Sequence, residues 1–227
     1  MKLYMLDILF RWGHIVFGVA WIGLLYYFNF VQTEYIKEAD DSAKGDVMQK
    51  LAPRALWWFR WAAMFTFLTG LVLVGWLINA FPTKVTVGIT LGALMGTLMM
   101  LNVWLIIWPN QRIVIGLDEG DKAKAAPKAA LASRTNTLLS LPMLYFMVAS
   151  AHGTTATNGG SYYVAEGTGA TSLAALVIGL AIIIIIEANA IWGKMGKVIQ
   201  SVRAVITSSI VLTFIMAGVA QYSLQWL

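Results

Sequence analysis

Residues 11–23 read RWGHIVFGVAWIG, and the apolar run they open continues to Phe30. About 20 consecutive apolar residues suffice for a helix to cross a ~30 Å hydrocarbon core. The run from 5 to 31 meets that length while carrying His14, one of only 2 histidines in the chain. Further runs of the same kind lie near 56–80, 85–108, 134–152, 171–193 and 202–224. They predict an all-α integral membrane protein, a bundle of about six transmembrane helices forming a single domain over 1–227, in which Pro142 interrupts the fourth helix. The runs are continuous rather than alternating, which points to helices and away from a barrel.

Composition agrees. The chain is 59% hydrophobic and 12% charged, against about a quarter charged in soluble domains. The first apolar run is too long for the core of a signal peptide, and no small-residue cleavage site follows it. The chain has 0 cysteines, which excludes c-type haem attachment, cysteine-ligated iron–sulfur clusters and disulfides. Of its 16 Lys and Arg residues, only Lys2, Arg11 and Lys84 fall on one side of a six-span topology. The positive-inside rule then puts the other side in the cytoplasm and both termini outside. The net charge of +5 is therefore orientation charge, and no nucleic-acid footprint is expected.

The cytoplasmic connections read QTEYIKEADDSAKGDVMQKLAPR (32–54), with room for a short surface helix, and GLDEGDKAKAAPKAALASR (116–134), which ends in a helix start. The outer connection 152–171 lacks Lys and Arg and offers Tyr162–Tyr163 as an interfacial anchor. No internal repeat supports a transporter built from inverted halves. Gly88, Gly92 and Gly96 give helix 3 a face of small residues, suited to close packing inside the bundle or to a dimer contact. The 11 methionines read as core filler.

The candidate chemistry falls at two depths. His14 and His152 both come to the outer side, from helices 1 and 4. Two helices each supplying one imidazole is a common way for a bundle to hold b-type haem. Arg11, His14, Gly18 and Trp21 share one helical stripe. In that reading Arg11 pairs with a propionate, Gly18 makes room for the macrocycle and Trp21 packs on it. The opposing reading has His152 bonding to local backbone and Arg11 snorkelling to the interface. Copper or zinc is a poor fit to two histidines without cysteine or a near carboxylate; Asp7 lies two turns from His14. Near the inner side stand Asn29, Arg60, Asn102, Glu187 and Asn189. Glu187, after five isoleucines, must be neutral or paired; it reads as a structural partner or as part of a proton or quinone site.

Four stretches carry a family resemblance. RWGHIVFGVAWIG, WWFRWAAMFTFLTG, GALMGTLMMLNVWLIIWPNQR and TNTLLSLPMLYFMVASAH resemble, in the same order, the membrane domain of bacterial urate hydroxylases, the urate oxidase N-terminal domain. The resemblance covers most of residues 8–155, and NVWLIIWPNQR and LPMLYFM are its most specific parts. It implies a bacterial inner-membrane location and an outward-facing redox site that works with a cytochrome c. In the enzymes that cytochrome is a carboxy-terminal domain; with the chain ending at Leu227, it is expected here as a separate protein. The family pattern has further histidines near the positions of Trp57, Thr90 and Thr135 and an acid near that of Ala62, and it spaces the last histidine of helix 4 one residue closer to the Leu-Pro pair. The longer enzymes also have at least one more helix.

The expected function is a membrane electron-transfer protein with one haem b, exchanging electrons with an external cytochrome c or a quinone. The alternatives are a non-catalytic subunit of a larger membrane complex, docked through the glycine face of helix 3, and a urate hydroxylase acting with a detached cytochrome c. A homo-oligomer is compatible with each.

Overall fold

The computed structural model describes residues 2–80, 85–152 and 173–222, with side chains for 5–80, 85–150 and 173–220. All its elements are helical: α1 (Lys2–Tyr26), α2 (Thr33–Glu38), α3 (Asp41–Asp46), α4 (Ala52–Ala80), α5 (Val87–Leu101), α6 (Trp108–Val114), α7 (Lys122–His152), α8 (Leu173–Trp192), α9 (Lys197–Gln200) and α10 (Val202–Tyr222). Wide π turns at Tyr27–Gln32, Val47–Leu51 and Asn102–Ile107 join α1 to α2, α3 to α4 and α5 to α6.

Among the described residues, five helical stretches are long and apolar enough to cross a membrane: Met5–Glu38, Asp41–Ala80, Val87–Val114, Leu173–Trp192 and Val202–Ala220. The expected fourth span falls on α7, an unbroken helix of 31 residues. Its first half carries Lys122, Lys124, Lys128 and Arg134, and α7 stands outside that group of five.

The helices outrun the apolar runs. The stretch 32–55, read above as a connection with a short surface helix, is helical except at Ala39–Asp40. Charge marks where lipid ends, not where a helix ends, and these charges pair along the helix surface. Lys37 reaches Glu34 at 2.7 Å, Lys44 reaches Asp41 at 3.6 Å, and Lys50 pairs with Asp46. Asp40 caps α3 by accepting from the Ala43 N–H at 2.8 Å. That bond, with one from Ser42, holds its carboxyl below the usual carboxylate range, so the cap is lost only as pH falls through that lowered value.

The chain forms two compact units: Met1–Val74 with Met99–Thr137, and Gly75–Leu98 with Leu138–Leu227. In the first, Trp21, Leu25, Phe59, Ala63, Met99 and Val103 are buried. In the second, Leu91, Met95, Leu139, Phe146, Ile183 and Met216 are buried. The distribution is inverted relative to a water-soluble core. Asn29, Asn102, Asn136, Ser140 and Glu187 are buried, while Val19, Ile185 and Phe214 are at least 70% exposed. Such a surface suits hydrocarbon.

The glycine face of α5 is occupied. A Cβ on Gly88 would stand 3.2 Å from Phe146, and one on Gly92 3.1 Å from the same side chain. Gly96 faces Met143. The small residues let α7 lie close against α5, which leaves that face unavailable to a partner. Gly179 does the same for α8, where a Cβ would stand 2.5 Å from Leu91.

Pro142 does not interrupt α7. Proline lacks an N–H, so the carbonyl four residues earlier, on Leu138, loses its helical donor. Ser209 of α10, 1% exposed, donates its hydroxyl to that carbonyl at 2.7 Å. A tertiary contact thus replaces the missing local bond and ties α10 to α7 within the second unit. Ser209→Ala should lower stability by about 1–3 kcal/mol, the cost of an orphaned buried acceptor. Pro142→Ala restores the helical donor and should make the serine dispensable. Thermal unfolding of the two single variants and the double variant in detergent gives the coupling; additive effects would show that Ser209 serves something else.

Candidate functional site

His14 projects from α1 onto α4. Its Nδ1 lies 2.9 Å from the carbonyl oxygen of Thr66 and 3.2 Å from Oγ1 of Thr69. A carbonyl only accepts, so in the neutral ring the proton sits on Nδ1 and Nε2 keeps its lone pair. A hydrogen bond from one ring nitrogen to a carbonyl, as here, is how metal-binding imidazoles are oriented. Gly70 completes the seat: a Cβ there would stand 3.0 Å from Cε1 of His14. The Thr66 hydroxyl is engaged with the carbonyl of Ala62 at 2.7 Å. The Thr69 hydroxyl reaches those of Phe65 at 2.6 Å and Thr66 at 3.0 Å.

The rest of the stripe is arranged as follows. Arg11 is exposed, and its Nε donates to Oδ2 of Asp7 at 2.8 Å. Gly18 faces Thr66, whose Cγ2 would be 3.8 Å from a Cβ, so it serves the approach of α1 to α4. Trp21 is 2% exposed, and its Nε1 is buried with no hydrogen-bond partner. His152 ends α7, but its side chain lies outside the described residues, as do Lys84 and the segment 153–172 with Tyr162 and Tyr163.

The inner polar residues divide between the units. In the first, Asn29 donates to the carbonyl of Leu25 at 2.9 Å and to Oγ of Ser133 at 2.8 Å. Asn102 donates to Oδ1 of Asn136 at 3.0 Å, and Asn136 donates to the carbonyl of Met99 at 2.8 Å. These amides tie α1 and α5 to α7. The Trp104 indole donates to the carbonyl of Arg60 at 3.1 Å, and the Arg60 guanidinium lies over Trp108 with Cζ 3.9 Å from the ring centre. In the second unit Glu187 is buried on α8 and Asn189 is exposed.

The motif NVWLIIWPNQR explains this arrangement. Pro109 cannot donate to a carbonyl one turn earlier. The helix widens just before it, so that the Trp108 N–H bonds Val103 five residues back. Asn110 adds its side-chain amide to the carbonyl of Ile106 at 2.7 Å. The same device precedes Pro53, where the Ala52 N–H bonds Val47. Wide turns of this sort re-aim side chains and recur at functional sites.

Of the positions where the family pattern has further ligand-type residues, Trp57 is exposed, while Ala62 and Thr135 are buried. Thr90 donates to the carbonyl of Thr86 at 2.9 Å. Among the described residues no three His, Cys, Asp or Glu side chains gather as a metal site. Thr66, Thr69, Gly70, Ser133, Asn136 and Ser209 escaped the sequence reading. Thr66, Thr69 and Gly70 do stand at helical spacing in MFTFLTG, and Asn136 opens an apolar run, which are the signals that mark them.

A lipid-facing apolar surface over buried polar layers defines a multi-pass helical membrane protein. Residues 72–177 match the family described as urate oxidase N-terminal, and that stretch contains both NVWLIIWPNQR and LPMLYFM. The stretches 11–23 and 57–70, and with them His14, lie outside the match. No curated protein and no solved structure matches the chain.

The seat of His14 has a direct readout. With 2 histidines in the chain, the imidazole 15N spectrum is simple. His14 should show the Nδ1–H tautomer, and Gly70→Val should abolish it by displacing the ring. A wild-type Nε2–H tautomer would contradict the assignment.

Proposed function

We propose that this chain is a membrane redox subunit related to the urate hydroxylase membrane domain, and that it holds one b-type haem on its outer side. His14 would supply one ligand to its iron, and His152 is the second histidine that the sequence offers for it. The observation that carries the reading is the Nδ1 of His14 at 2.9 Å from the Thr66 carbonyl, which leaves Nε2 as a lone-pair donor. The residues present fit a haem in the chemistry of His14; Arg11, held by Asp7, needs to leave that carboxylate to meet a propionate. When bound, the haem supplies one-electron chemistry toward an external cytochrome c or a quinone. The chain's own part is to orient the imidazole through Thr66, Thr69 and Gly70 and to hold it in an apolar setting.

The same proposal includes six spans, with α7 as the fourth and both termini outside in a bacterial inner membrane. Its support is the continuity of α7 through Pro142 and the clustering of Lys and Arg on alternate connections. The subunit alternative is weaker, because α7 already covers the glycine face on which it relied. Catalysis of urate hydroxylation with a separate cytochrome is the second reading, favoured by the family match; it requires urate-dependent reduction of added cytochrome c by membranes containing the chain.

The deciding experiment is a reduced-minus-oxidised spectrum of the purified protein, with haem quantified per polypeptide. One b-type haem per chain is expected, lost in His14→Ala and in His152→Ala but kept in Lys194→Ala. A colourless, folded wild-type protein, or a spectrum indifferent to His14→Ala, would overturn it.

A further inference from the structure

The densest aromatic and cationic cluster in the first unit is not at His14. Arg60 lies among three tryptophans, with Cζ 3.9 Å from the ring centre of Trp108, 5.7 Å from Trp104 and 5.9 Å from Trp61. Arg112 approaches the same Trp108 ring, 5.7 Å from Cζ to its centre. The two guanidinium groups thus share one ring, 3.9 and 5.7 Å from its centre. Arg112 has a counter-charge in Asp118, at 2.6 Å from its Nη2. Arg60 has no carboxylate within ion-pair distance among the described residues. Both Nε atoms are buried without a hydrogen-bond partner.

Ring faces attract a cation, but they do not neutralise it or accept N–H bonds in its plane. Two cations brought to one indole with a single carboxylate between them leave one positive charge unbalanced. Where it lies argues for what balances it. One or two turns along α4, Arg54 with Pro53, Trp57 and Trp58 lines an open cavity of about 360 Å³. Trp58 is 63% exposed, and Leu105, beside Trp104, is 68% exposed. Exposed tryptophans next to arginines at the end of an apolar span mark the level of lipid headgroups.

We propose that Arg60 and Arg112, with Trp108 between them, form a binding site for the phosphate of an anionic phospholipid. The lipid phosphate supplies the missing charge and acceptors, and the tryptophans wall the headgroup. Free phosphate offers the same oxyanion, but the exposed apolar neighbours favour a ligand that brings acyl chains with it. The inference does not depend on the haem proposal, because His14 is bound to α4 at Thr66, six residues beyond Arg60.

The test is native mass spectrometry of the delipidated protein titrated with phosphatidylglycerol, phosphatidylcholine and inorganic phosphate. Phosphatidylglycerol should bind about ten-fold tighter than phosphatidylcholine. That preference should vanish in Arg60→Gln/Arg112→Gln and persist in Arg203→Gln. If the double variant fails to fold, as circular dichroism would show, Arg60→Lys takes its place, since it keeps the charge but loses the planar fork and should weaken the preference. Equal binding of the two lipids, a preference untouched by the arginine variants, or displacement of the lipid by millimolar inorganic phosphate would each overturn the proposal.

Discussion

In hydrocarbon there is no water to satisfy a stray amide or carbonyl, so every interruption of a helix has to be answered by the protein itself. Apart from Pro127, in the charged start of α7, this chain places Pro53, Pro109 and Pro142 inside or at the edge of long helices. Two of the deficits are absorbed locally, by a wide turn just before the proline. The third is absorbed at a distance, by a hydroxyl from α10. The consequences differ. A wide turn shifts the register of the side chains that follow it, which is how Trp108 comes to lie against Arg60 of α4. A distant donor instead makes the continuity of one helix conditional on the packing of another.

The same accounting covers the side chains. Buried amides are costly unless paired, and in the first unit they are paired in sequence: Asn102 to Asn136, Asn136 to Met99, Asn29 to Ser133. Each bond joins two helices, so polar residues here do the work that shape complementarity does elsewhere among apolar surfaces that lipid could cover equally well. Glycine supplies the rest. Gly88, Gly92 and Gly179 have neighbouring side chains where a Cβ would be, and Gly70 gives its missing Cβ to the ring of His14.

Much of this was legible before any coordinates. Run length fixes where helices cross lipid, and α8 at Leu173–Trp192 and α10 at Val202–Tyr222 fall within two residues of the apolar runs. The boundaries that failed did so for one reason. Hydropathy reports the solvent around a helix, while hydrogen bonds and ion pairs such as Lys37–Glu34 decide whether it continues. Pro142 misled similarly, since a rule about local backbone cannot see Ser209. In the site, His14 was visible because an ionisable group in a span is rare. Thr66 and Thr69 were not, because threonine in an apolar helix is ordinarily satisfied by its own backbone; their second role needs α1 beside them.

The two depths of the first unit ask different things of similar chemistry. At Thr66–Gly70 an imidazole is held neutral-compatible, with one nitrogen engaged by a carbonyl and no acid among its hydrogen-bond partners. Six residues nearer the start of α4, about 9 Å along the axis, Arg60 is held permanently charged against three indole faces. An uncharged ring can sit deep in an apolar span at little cost, whereas a guanidinium needs headgroups, water or an anion within reach. α4 therefore grades its polar contacts by what lipid will tolerate, with the Arg60 charge near the basic connections and the seat of the α1 imidazole, at Thr66–Gly70, further in.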